Sequence, residues 1–250
     1  MSLTSSPISL RRHITVLLFT WAAGSLDALV YLTGHVFPAN MTGNLVLLGI
    51  SVGQAHGIAA ARSIIALVSF APGVIIAAML VGEGDKPKRW TLVRRAVLVE
   101  AVVLVLFSVL ALVPLSERAA LPLLIALSSF AMGLQSAIVK RLNLPGIATT
   151  YITGTITNLF FGLTHRVGRE MKREPASASD SSLRLQAGVF TTYALAAIIS
   201  GALYLRWPRE VAFFPIIAIG SVALYMYLRH RRLLRDLHTR SMGTELHRAS

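Results

Sequence analysis

Asp27 is the residue with the most chemistry to offer. It stands in an apolar stretch that begins at Ile14 and runs on through Val30, some six residues from what would be its outer end. An ionised carboxylate inside a bilayer costs at least about 2.5–3.5 kcal/mol unless it is solvated or paired. One use for it is as a proton- or cation-coupling acid. The other is a static ion pair with Arg62, at a similar depth near the outer end of the second apolar segment. Glu100, in LVEAVVLV, is a second acid of this kind, nearer the inner face. It fits a place in a proton path, and equally a carboxylate that snorkels or bonds a neighbouring helix.

Two polar motifs interrupt the apolar pattern. Asn40-Met41-Thr42-Gly43-Asn44 follows the turn-forming stretch 33–40, and Thr153-Gly154-Thr155, with Thr150 just before it, follows Asn143-Leu144-Pro145-Gly146. A helix opening at such a motif presents unpaired N–H groups and a positive dipole end. Thr42 and Asn44 add side-chain hydrogen bonds, and Gly43 allows close approach. Broken helices at bilayer depth are tolerated only inside protein or beside water, which makes them markers of transporter binding sites. The alternative is small-residue helix packing with Thr and Asn bonding between helices. On the first reading Asn40, Thr42, Gly43, Asn44, Gln135, Thr150, Thr153, Gly154 and Thr155 bind a solute, with Asp27, Arg62 and Glu100 coupling an ion.

Other chemistry is not expected. The seven histidines lack metal-ligand spacing, no Gly-x-Ser-x-Gly elbow occurs, and Gly82-Glu83-Gly84-Asp85 reads as a turn. Cysteine is absent, which removes disulfides, thiol catalysis and thiolate metal sites. An enzyme, a cofactor and a metal are therefore not expected.

The elements that position these residues follow from composition. The 250 residues are 54% hydrophobic and 14% charged, with a mean hydropathy of +0.65. A soluble domain carries about 25% charged residues, so the pattern is that of a multi-pass membrane protein. Six segments are long enough to span: 13–33, 58–81, 92–113, 119–139, 185–206 and 210–229. Two more, 41–55 and 151–164, are short. The first span follows Arg11 and Arg12 and could be taken for a signal peptide, but it is long enough to be retained as a helix.

Charge decides how the short segments lie. If both are re-entrant, 20 of the 24 Lys and Arg residues fall inside, leaving Arg62, Arg118, Arg206 and Arg209 outside. If both span, the division is 15 to 9. The positive-inside rule favours six spans plus two re-entrant helices, with eight spans as the alternative. The net charge of +13 then reads as loop charge rather than nucleic-acid affinity. Residues 1–12 form a cytoplasmic N-terminus, 13–230 a single transmembrane domain, and 231–250 a basic cytoplasmic tail suited to anionic headgroups.

The halves share a weak repeat, about 13–113 and 119–229. Asp27-Ala28 and Met41-Thr42-Gly43-Asn44 answer Gln135-Ser136 and Ile152-Thr153-Gly154-Thr155, while Arg62 and Phe70-Ala71 answer Arg184 and Tyr193-Ala194. Three spans per half make the second half start on the opposite side, so the repeats are inverted.

Asp27-Ala28, then Phe37-x-Ala39-x-Met41-Thr42-Gly43-Asn44, with Met132-Gly133-Leu134-Gln135 and Thr150-x-x-Thr153-Gly154, resembles the bacterial YoaK family over residues 14–228. That is a domain-of-unknown-function family of inner-membrane proteins. The resemblance implies an integral cytoplasmic-membrane protein and supplies no substrate. From the residues, the expectation is an all-α secondary transporter or channel for a small polar or anionic solute, bound at the midplane between the two Thr-Gly motifs. A non-transporting scaffold or assembly protein is the alternative. The lipid bilayer is the expected partner, nucleic acid is not, and a homo-oligomer is left open.

Overall fold

A computed structural model describes residues 7–82, 86–113, 117–142, 152–172, 179–229 and 231. The described residues are helical almost throughout. In chain order the helices are α1 (Pro7–Gly34), α2 (Met41–Gly53), α3 (Gly57–Val81), α4 (Lys86–Leu112), α5 (Glu117–Leu142), α6 (Ile152–Met171) and α7 (Ser179–Tyr204). A 3-10 turn at Glu210–Ala212 then runs directly into α8, residues 213–229. Six of these helices are long and apolar enough to cross a membrane, and they fall on the six segments expected from the sequence.

The helix ends follow local chemistry. His35 takes a left-handed conformation (φ 57°) while its N–H still bonds the carbonyl of Tyr31, which closes α1. α2 starts where the Asn40 side chain accepts the Gly43 N–H at 3.1 Å, an N-cap. A short link with Ala55 at φ 56° turns α2 back onto α3. The second short segment is longer than expected. α6 has 20 residues rather than ending near 164, and its added turns carry an exposed Arg166–Glu170 pair at 2.8 Å, one turn apart, which adds about 0.2–0.5 kcal/mol to the helix. α6 is not among the six spans.

Packing follows the repeat. α3 lies on α5, and their counterparts α7 and α1 lie on each other; α2 lies on α3, as α6 lies on α7. Both main crossings use a close backbone approach. A Cβ on Gly133 would run into the Phe70 carbonyl, and one on Gly73 into that of Phe130. In the other half, a Cβ on Gly24 would meet the carbonyl of Tyr193, the residue that answers Phe70, at 2.6 Å. Small residues at helix crossings are how membrane helices gain dispersion contact without a hydrophobic driving force.

The relative direction of the repeats is visible where α1 meets α5. The Gln135 side chain donates to the Phe19 carbonyl at 3.0 Å. Farther along α1, a Cβ on Gly34 would touch Leu121 and Ile125, which precede Gln135. Counterpart helices therefore run antiparallel, and the repeats are inverted. Phe19, Leu26, Ile125, Met132 and Leu134 fill this centre and are fully buried. Large apolar side chains such as Val68, Met79 and Ile198 cover the outside, as a lipid-facing surface requires.

Candidate functional site

Between the repeats lies a carboxylate to which no cation is bonded among the described residues. Asp27 is 3% exposed. Its Oδ1 accepts the Ala39 N–H at 2.7 Å, and its Oδ2 accepts the Tyr193 hydroxyl at 2.5 Å. One donor belongs to the loop that leads into α2, and the other comes from α7 in the opposite repeat. Among the described residues no ion pair joins Arg62 to Asp27, so the static-pair use of Asp27 gives way to two hydrogen bonds. Arg62 is half-buried on α3.

Tyr193 is the residue that sequence reasoning missed as a partner. Its signal was in the repeat: Tyr193 answers Phe70 and differs from it by a hydroxyl. The second partner, the Ala39 amide, is main chain and leaves no mark on residue type.

Asn44 is fully buried and spends both ends of its amide on Phe37. Its Oδ1 accepts the Phe37 N–H at 2.8 Å, and its Nδ2 donates to the Phe37 carbonyl at 2.6 Å. Phe37 in turn stacks on Tyr31, with ring centroids 4.7 Å apart. Loop 35–40 is thereby tied to α1 by Asp27 and Tyr31, and to α2 by Asn44 and the Asn40 cap. Asn40 and Thr42 are exposed, and Gly43 is half-buried against Asn40 and Phe37.

In the second repeat, Thr155 is fully buried, as Asn44 is, while Thr153 and Gly154 are exposed. Among the described residues, a Cβ on Gly154 would meet nothing within 4 Å. Thr150 lies outside the described residues. Gln135, the counterpart of Asp27, is fully buried and holds the Phe19 carbonyl. The two Thr-Gly motifs lie on helices that dock on different partners, α2 on α3 and α6 on α7. Read by contact, the helices follow one another as α2, α3, α5, α1, α7 and α6, so the short helices stand at opposite ends of the series. What meets between the repeats is Asp27 and Tyr193, while Gln135 meets α1 two turns away, at Phe19.

Glu100 is separate. It is fully buried on α4, on the face that also carries Val93, Ala96, Val97, Leu104 and Phe107, and neither carboxyl oxygen has a hydrogen-bond partner among the described residues. No group of three or more His, Cys, Asp or Glu side chains with metal-holding geometry occurs among the described residues.

The family model described as "Protein of unknown function (DUF1275)" matches residues 15–226, a stretch that takes in Asp27, Asn44, Gln135 and Tyr193. The chain belongs to this family. UPF0700 transmembrane protein YoaK of Bacillus subtilis (strain 168) is 33% identical over 221 residues, which cover 87% of this chain and 95% of that protein. No solved structure matches the chain. The family membership accords with the six apolar helices: this is a multi-pass transmembrane protein.

Proposed function

We propose that this DUF1275 protein is a secondary transporter for a small polar or anionic solute in the bacterial inner membrane, with both termini cytoplasmic, rather than an enzyme. The observation that carries the reading is Asp27: a buried carboxylate, paired with no cation among the described residues, at the contact between two inverted repeats. Inverted repeats give a protein two arrangements of equal topology open to opposite sides, and the coupling group of such carriers lies where the repeats meet. An intramembrane acid held by neutral donors is suited to carry a proton, because gaining one does not strand a partner charge. The exposed Thr42 hydroxyl and the opening turn of α2 supply donors for an anionic or strongly accepting solute.

One observation favours a scaffold instead. Asn44, Gln135 and Asp27 all spend polar atoms on bonds within the molecule, which is what helix-holding residues do.

Proteoliposomes with a trapped pH-sensitive dye separate the readings. Phosphate, small carboxylates, amino acids and neutral polyols are added in turn from outside. A carrier acidifies or alkalinises the lumen with at least one of these classes, and Asp27→Asn abolishes that response. No response to any class, together with no thermal shift from any of them, overturns the proposal in favour of the scaffold.

A further inference from the structure

Asp27 bonds two partners of different chemical kinds. The Ala39 N–H can only donate, whereas a tyrosine hydroxyl can donate or accept. A proton arriving at the carboxylate cannot sit on Oδ1 without opposing the Ala39 N–H. It goes to Oδ2, where it meets the hydrogen that Tyr193 already points there. The hydroxyl must then turn its own hydrogen away and accept, or part from Asp27. Taking up a proton thus falls on the bond between the repeats and spares the bond within repeat 1.

The surroundings make that bond consequential. Gly24 lets the α7 backbone come close to α1 at Tyr193, so the ring is held alongside the carboxyl. Loop 35–40 is a single piece, joined by the Tyr31–Phe37 stack and by the bidentate Asn44–Phe37 pair. Whatever shifts Ala39 therefore shifts the start of α2 with it. The other half of the molecule has no such device, because Phe70 lacks a hydroxyl and Gln135 is an uncharged amide bonded to Phe19. No other ionisable side chain among the described residues bonds Asp27. Arg184 lies near the first turns of α7, Lys140 and Arg141 in the last turn of α5, Arg209 and Glu210 at the turn before α8, and Tyr31 and His35 beyond Asp27 along α1.

We propose that the Tyr193–Asp27 hydrogen bond is a latch between the inverted repeats, which holds α7 against α1 more firmly while Asp27 is ionised than once it is protonated, with Tyr193 as its positioning residue. The functional half of this rests on the transport reading; the structural half stands without it.

Amide hydrogen exchange in nanodiscs tests the latch directly. Tyr193→Phe cuts the inter-repeat bond alone, and Asp27→Ala cuts both bonds. The stretches of α1 and α7 around Asp27 and Tyr193 exchange slowest in the wild type and about tenfold faster in Tyr193→Phe, while segment 35–44 loosens only in Asp27→Ala, which also removes the acceptor of the Ala39 N–H. Segments of α3 and α5 stay unchanged in Tyr193→Phe. If the stretches around Asp27 and Tyr193 exchange in Tyr193→Phe as they do in the wild type, the latch is overturned, whatever the liposome assay shows. Faster exchange without transport of any solute class keeps the latch and overturns the transport reading. If Tyr193→Phe does not fold, spin labels at His35→Cys and Leu205→Cys in an otherwise native chain replace it. A second, longer distance that grows as pH falls supports the latch, and one unchanging distance overturns it.

Discussion

Asp27 in α1 and Gln135 in α5 occupy corresponding places in the two repeats, and the structure treats them differently. Gln135 is an amide and meets its surroundings with a bond to the Phe19 carbonyl. Asp27 accepts only, so repeat 1 must bring donors to it. It does so with a main-chain N–H from its own loop and a hydroxyl from the far repeat. The same contrast recurs at the short helices. Asn44 binds the Phe37 backbone at both ends of its amide, where repeat 2 has Thr155. The shared geometry is the scaffold, and the departures from symmetry mark where repeat 1 does something that repeat 2 does not.

The largest effects test the shared part. Gly133→Val drives side-chain atoms into the Phe70 carbonyl, with Gly73 and Phe130 crowded in the same crossing. Its cost falls at or above the top of the usual overpacking range of about 1–3 kcal/mol. Gly24→Val, at the looser α1–α7 crossing, falls within that range, so its thermal melt in detergent lies above that of Gly133→Val. Equal losses would make the two crossings energetically equivalent.

The next pair addresses the asymmetry. Asp27→Ala leaves the Ala39 N–H and the Tyr193 hydroxyl without their acceptor and costs about 3 kcal/mol, since bonds to charged groups are worth about 1.5–3 kcal/mol each. Gln135→Ala loses a neutral bond and costs about 1 kcal/mol. Denaturant or thermal unfolding of the two variants reads the difference directly. If Gln135→Ala costs as much as Asp27→Ala, repeat 1 is not special.

Asn44→Ala leaves both main-chain polar groups of half-buried Phe37 without their partner and costs about 2 kcal/mol, against about 1 kcal/mol for Thr155→Val. Proteolysis within 35–40 accelerates in the first variant only. Smallest of all is Gly154→Ala, whose Cβ enters open space. It leaves the melting temperature unchanged or raises it slightly, as replacing a helical glycine gains about 0.5–1 kcal/mol.

Much of the fold was legible in the sequence because it depends on quantities that residue type carries directly. Apolar length located the six spans, and the pairs Asp27/Gln135 and Phe70/Tyr193 revealed the repeat before any contact was known. The end of α6 was not legible, since an apolar run stops where lipid stops, while a helix can continue in polar sequence such as the turn that holds Arg166 and Glu170. The site was legible in part. Burial of Asp27 and Asn44 among apolar residues showed that they needed partners. Which partners they found depends on helix docking and on a main-chain amide, neither of which composition encodes. For the same reason the sequence could not show that α2 and α6 dock on different helices.

Inversion of the repeats is the claim on which the rest stands, and the absence of native cysteine makes it directly measurable. Single cysteines replace His35, in the loop after α1, and Asn143, just after α5. Each variant is treated in intact cells with a membrane-impermeant maleimide, before and after permeabilisation. His35→Cys labels in intact cells, and Asn143→Cys labels only once the membrane is opened. Labelling of both from the same side would contradict the inverted architecture, and with it the place of Asp27 between two opposed halves.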